Sequence, residues 1–141
     1  MTRELLPAPD LSPDAGPYWD AAKENQFLMQ NCDDCGEWRF VPSHLCTHCG
    51  SDKTSWKEPS GKGVIYSLTT VHRGPTVAFR ELTPYVIVFV DLPEGPRIMT
   101  NLIGDNIQTA AIGDAVQICF EERQGGAKVP QFRLVKDGGA S

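Results

Sequence analysis

Hydrophobic positions fall along this chain in two textures. From Gly61 onward, short apolar runs recur: GVIYSLTTVH, PYVIVFVDL, RIMTNLIG, AVQICFEE and QFRLVK, separated by Gly, Pro and Asp. Val, Ile, Tyr, Phe and Thr fit a pleated, half-buried surface, and the punctuation between the runs ends strands. No long amphipathic helical pattern lies among them. Five strands in a stretch of this length predict a small barrel. The interval GDNIQTAAIGD between the third and fourth runs has room for one helical turn, which fits an OB-like barrel better than a sandwich.

The first sixty residues read differently. Residues 1–16 carry Pro7, Pro9 and Pro13 and almost no periodic apolar signal, which predicts an extended arm. At Pro17 the pattern changes. Proline is tolerated in the first helical turn, and YWDAAKEN places Trp19 and Ala22 on one side of about two turns, so a short helix is predicted over 17–25. FLMQNC then predicts a short strand leading into a Cys-rich segment that runs to about residue 58. The expected division is an arm over 1–16, a helix and metal ribbon over 17–60 and a barrel over 61–137.

Cys32, Cys35, Cys46 and Cys49 spell CxxC, ten residues, CxxC. Two tight turns that each offer two thiolates supply the four soft ligands of a tetrahedral metal, and the intervening loop can bring the pairs together. Gly36 and Gly50 each follow the second Cys of a pair, where a knuckle turn needs positive φ. Four thiolates leave zinc no open position, so the expected metal is structural rather than catalytic. His44 and His48 are close enough in sequence to allow a Cys₃His set, and tetrahedral sulfur also accepts iron. Cys119 stands apart in AVQICFEE and reads as a small buried hydrophobe.

Charge narrows the functional classes. Thirteen Lys and Arg against eighteen Asp and Glu give a net −5. Residues 1–60 hold 5 basic and 10 acidic side chains, whereas 61–141 hold 8 and 8, so the excess lies wholly in the N-terminal part. Neither part resembles a phosphate-gripping surface, which draws its affinity from clustered Lys and Arg. No apolar run approaches the roughly 20 residues of a membrane span, and the acidic, proline-rich start lacks the apolar centre of a signal peptide. A cytoplasmic protein that contacts neither membrane nor nucleic acid is expected.

Catalytic chemistry is hard to find. His72 ends the first barrel run and leads into RGPTVAFRELTP, a twelve-residue connection with Arg73 and Arg80. Loops this long in small domains often serve function, and a His with two Arg could hold an anionic ligand; the alternative is a solvated connection. No Ser-His-Asp arrangement or phosphate-binding glycine motif is readable. The chain therefore reads as non-catalytic on its own.

The order PYWDAAKEN, FLMQNC, CxxC…CxxCG, SGKGVIYSLTTVHRGP, PYVIVFVDLPEGPRIMTNLIG and IGDAVQICFEE resembles the acyl-CoA-associated family that pairs a rubredoxin-like zinc ribbon with an OB-fold. The likeness covers about residues 13–136. It implies a mainly β fold: an N-terminal helix and rubredoxin-like zinc ribbon, then a five-stranded OB-fold barrel. It also implies a small companion of a thiolase-fold enzyme, a thiolase or a lipid-transfer-protein-like aldolase, in a hetero-oligomer. The coenzyme A thioester would be the substrate of that complex, and zinc its companion's structural metal. With that resemblance in hand, His72, Arg73, Arg80 and Asn101 are the candidates to meet acyl-CoA. Tyr18 and Trp19, beside the arm, are candidates for the partner interface, or else pack the helix onto the ribbon. The rival readings are a single-stranded nucleic-acid-binding module and a free-standing acyl-CoA-binding protein.

Overall fold

The computed structural model describes residues 8–9, 15–105, 107–123 and 126–135. Most of the expected arm, at 1–7 and 10–14, lies outside these residues. Helix α1 spans Gly16–Lys23, with Pro17 in its first turn and Lys23 in its last. Asn25 adopts φ 60° just past its end, and the amides of Asn25 and Gln26 return to the carbonyls of Ala22 and Ala21. That closes the helix two residues earlier than its sequence pattern suggested.

Three short strands form the ribbon sheet: β1 (Met29–Cys32), β2 (Trp38–Arg39) and β3 (Thr54–Lys57), in the order β2-β1-β3, all antiparallel. Of these, only β1 was legible as an apolar run. Arg39 is buried beneath the loop that follows and donates to the Ser43 hydroxyl, the Ser43 carbonyl and the Thr54 hydroxyl. A guanidinium's fixed fork can serve several acceptors at once, so one side chain ties the ribbon loop to β3.

The barrel strands are β4 (Lys62–Val71), β5 (Tyr85–Asp91), β6 (Arg97–Leu102), β7 (Ala115–Glu122) and β8 (Lys128–Leu134), closed in the order β4-β5-β6-β8-β7. Each predicted run is a strand. The connection after β4 carries a short helix α2 (Val77–Arg80), and a 3₁₀ turn at Ile107–Thr109 fills the interval before β7. On β5 the alternation is clean: Val86, Val88 and Val90 are buried inward, while Tyr85, Ile87 and Phe89 face outward.

One hydrophobic core serves both parts. Tyr18, Phe27 and Met29 from the N-terminal part join Ile65, Val86, Val88, Val90, Leu102, Val116 and Phe132 of the barrel. Lys128 Nζ also donates to Asn25 Oδ1 at 2.9 Å, tying the end of α1 to β8.

Candidate metal centre and ligand-facing loop

The two CxxC pairs form matching knuckles. Gly36 N–H donates to Cys32 O at 2.9 Å and Gly50 N–H to Cys46 O at 2.9 Å, with φ of 80° and 81° at the two glycines. Cys32 N–H bonds Glu37 O, and Cys46 N–H bonds Ser51 O in the same way. Positive φ is costly for any residue with a Cβ, which is why glycine occupies both places.

The four sulfurs lie within 4.8 Å of one another. Cys32 Sγ is 3.6 Å from Cys49 Sγ, and Cys35 Sγ is 3.7 Å from Cys46 Sγ. A tetrahedron with metal–sulfur bonds of about 2.3 Å has edges of about 3.8 Å, so the donor set and its spacing fit zinc. Neither His44 nor His48 joins the group, which removes the Cys₃His alternative among the described residues. The four thiols split: the amides of Cys49 and His48 pull Cys46 down to about 6 and that of Cys35 lowers Cys32, whereas Cys35, through desolvation and the neighbouring sulfurs, and Cys49, through Cys32, are raised. Cys119 lies outside this group. It is half-buried, and burial pushes its thiol up to about 11, so it stays protonated and unreactive near neutral pH.

In the barrel, the long connection folds against itself. Thr76 caps α2, its hydroxyl accepting from Phe79 N–H. A Cβ on Gly74 would lie 2.5 Å from Arg80 N and 2.6 Å from Phe79 C, so only glycine lets the two limbs of the loop meet here. The backbone of Arg80 is thereby held beside that of His72–Arg73–Gly74, and the three candidate side chains are exposed. Phe79 packs on Tyr85 with ring centroids 5.6 Å apart.

Below this loop, on the outer face of β5, β6 and β8, lies an open hollow of about 360 Å³ lined by Pro75, Phe79, Tyr85, Ile87, Met99, Thr100, Asn101, Val129 and Gln131. No lining residue is charged. A smaller hollow of about 210 Å³ lies on the other side of Tyr85 and Asn101, and Glu121 and Arg123 reach it as an ion pair at 3.1 Å. The strand 2–3 face and its adjoining loops are where OB-folds take ligands.

Asn101 sits at a junction of the barrel that its sequence context did not reveal. β6 and β8 share a single ladder pair, Leu102 with Phe132, and Pro130 has no N–H to offer. Side chains bridge the gap. Asn101 N–H donates to Gln131 Oε1 at 3.0 Å, and the Thr100 hydroxyl lies 3.0 Å from Pro130 O and also against that Oε1. Asn101 Nδ2 donates to Val86 O, and Gln131 Nε2 continues to Glu121. Gln131 is 1% exposed, a buried amide whose position follows from closing the barrel and not from any local motif.

Tyr18 departs from the interface expectation. It is buried, edge-to-face against Trp19 at 4.8 Å and Phe40 at 5.5 Å, and packs the helix onto ribbon and barrel. Burial also raises its hydroxyl well above the usual tyrosine range. Trp19 is half-buried.

Comparison with known proteins agrees with this architecture. Residues 19–55 match the family model described as the ChsH2 rubredoxin-like zinc ribbon domain, and 56–121 match the ChsH2 C-terminal OB-fold domain. The chain is 34% identical over 131 residues to a "Probable enoyl-CoA hydratase alpha subunit" of Thermomonospora curvata, covering 93% of this chain but 40% of that protein. It is 33% identical to a "DUF35 domain-containing scaffold protein" of Methanocaldococcus jannaschii, with 72% and 73% of the two chains covered. Among solved structures, the "Ltp2-ChsH2(DUF35) aldolase" superposes with a TM-score of 0.81 at 34% identity, covering 91% of this chain and 99% of that one. The chain thus spans well under half of the hydratase subunit, but nearly all of the unit seen in the aldolase structure. With both of its parts matched in order and a four-cysteine ribbon leading into a five-stranded barrel, the chain belongs to the ChsH2/DUF35 family.

Proposed function

We propose that this chain is the non-catalytic, zinc-containing accessory subunit of a thiolase-like enzyme, a thiolase or a lipid-transfer-protein-like aldolase, acting on acyl-CoA in the cytoplasm. It helps assemble the complex and shapes the site that receives the thioester. The observation that carries this reading is the loop after β4, on which His72, Arg73 and Arg80 are exposed and whose Pro75 and Phe79 line an uncharged, largely apolar hollow. Coenzyme A needs both surfaces: guanidiniums bond phosphate oxygens through charge-assisted forks, while its pantetheine and acyl parts are neutral. Asn101 lines that hollow, although its Nδ2 is already engaged with Val86 O. The zinc, held by Cys32, Cys35, Cys46 and Cys49, fixes the ribbon fold.

Support for an accessory role comes from the relatives, one called a scaffold protein and another solved under an aldolase name that pairs it with a second protein. The charge balance disfavours the nucleic-acid reading, since the barrel part holds 8 basic and 8 acidic residues. The test is calorimetry of acyl-CoA against the assembled complex. The double variant Arg73→Ala, Arg80→Ala should bind about ten-fold or more weakly, as loss of charge-assisted bonds implies. Affinity equal to wild type would return the loop to a solvated connection.

A further inference from the structure

The barrel's outer surface carries a feature that neither metal nor loop explains. On three neighbouring strands, Val64 and Tyr66 of β4, Phe89 of β5 and Met99 of β6 are 46%, 49%, 39% and 62% exposed. Phe89 and Met99 are a cross-strand pair, and Ser67 of β4 faces Phe89 from the other side, just past a bulge that turns Tyr66 outward. The group shares the outer face of the sheet with the half-exposed Arg97–Asp91 ion pair. It runs into the larger hollow, which Met99 also lines.

The surface is electrically neutral by construction. Arg97 lies 3.3 Å from the centroid of the Tyr66 ring and forms an ion pair with Asp91, its Nε 2.6 Å from Oδ1. Its charge is therefore balanced by Asp91, and one face of its guanidinium is taken up by the Tyr66 ring. A nucleic acid would meet stacking aromatics without free cations, on a chain of net −5. A largely apolar protein surface matches what is displayed, since the face carries one internally balanced ion pair and no net charge. Tyr, Phe, Met and Arg are the residue types concentrated at the centres of protein interfaces.

We propose that the outer face of β4–β5–β6, centred on Tyr66, Phe89 and Met99, is where the enzyme subunit docks. This rests on the accessory-subunit reading above and adds where on the chain contact is made. The occupant is the enzyme subunit because a unit of this size, 99% covered by the match, is solved under the name "Ltp2-ChsH2(DUF35) aldolase", which pairs it with a second named protein. Because Met99 belongs to both patch and hollow, docking here covers the open side of the hollow. His72, Arg73 and Arg80 are then left at the rim of an enclosed entrance.

The test co-expresses the full chain with a thiolase-fold protein encoded in the same genome and measures the dissociation constant of the purified pair. Met99→Glu and Met99→Lys should each weaken it about 30-fold or more, while zinc content and thermal melting of the lone chain stay as in wild type. The control variant changes Val41 and Leu45, the exposed apolar residues at the ribbon tip, to Glu, and should bind as wild type. Failure of wild type to pair with any such protein would overturn the accessory reading itself. Pairing by wild type with unchanged affinity of both Met99 variants would overturn only the docking face, as would loss confined to the ribbon-tip variant. Sensitivity to one charge sign alone, or dissociation by Met99→Glu of a homodimer formed without the enzyme, would also overturn it.

Discussion

The ribbon and the barrel solve the same problem with different materials. The ribbon has three strands of two to four residues, and only β1 reads as apolar. Its geometry is fixed by four sulfurs and by amide bonds around them. The barrel has five strands of six to ten residues, and its centre is filled by Val86, Val88, Val90 and Phe132, each 0% exposed. Chemistry specifies the first and apolar burial the second. A short polar sheet is held where a metal supplies the free energy that area cannot.

The largest effect expected is from removing one sulfur. Cys46→Ser should abolish stoichiometric zinc and unfold the ribbon, since structural zinc contributes about 10–16 kcal/mol in isolated fingers. The barrel should persist, weakened by the loss of order at Phe27 and Met29 in the shared core. Elemental analysis and amide exchange resolved by strand check both halves of the expectation; equal loss of protection in β5 and β1 would show that the two regions are not separable.

Phe132→Ala is the converse. Truncating a fully buried aromatic should cost about 3–5 kcal/mol, read by denaturant unfolding, and leave metal affinity near wild type because no zinc ligand is touched. Gln131→Leu comes next. It orphans Asn101 N–H at the β6–β8 junction, while the Thr100 hydroxyl keeps Pro130 O as its acceptor, and should destabilise the barrel by about 1–3 kcal/mol. The smallest effects are at the knuckles: Gly36→Ala and Gly50→Ala force φ near 80° on an alanine, about 1–2 kcal/mol each. Equal losses in zinc affinity would confirm that the knuckles are equivalent.

The contrast also explains what the sequence made legible. Barrel strands announced themselves because buried sheets need Val, Ile and Phe in runs, and the CxxC spacing announced the metal because four ligands must converge. β2 and β3 left no such mark: Trp38–Arg39 and Thr54–Lys57 are strands only because β1 and the knuckles hold them in register. The start of β8 was hidden by Pro130, ordinarily a strand breaker, which is accommodated where side chains replace ladder bonds. Helix α2 was missed inside a connection read as loop, though Thr76 three residues before Phe79 is a capping pattern. In the candidate site, Arg73 and Arg80 were visible as charges, but Phe79, Tyr85 and Gln131 enter only once the barrel closes. For Tyr18 the sequence left two readings open, because an aromatic beside an arm looks the same whether it faces a partner or a core, and its burial favours the packing one.

The junction between β6 and β8 has one further consequence. Elsewhere around the barrel the strands pair through backbone ladders of three or more residue pairs, with one bulge between Ile65 and Ser67. Along this line the wall is laced by an amide and a hydroxyl, groups that can rotate and re-bond without breaking a strand pair. Thr100, Asn101 and Gln131 are also the floor of the larger hollow. The seam of the barrel with the fewest ladder pairs therefore lines that hollow, so the shape of its wall there is set by side-chain rotamers and not by strand pairing alone.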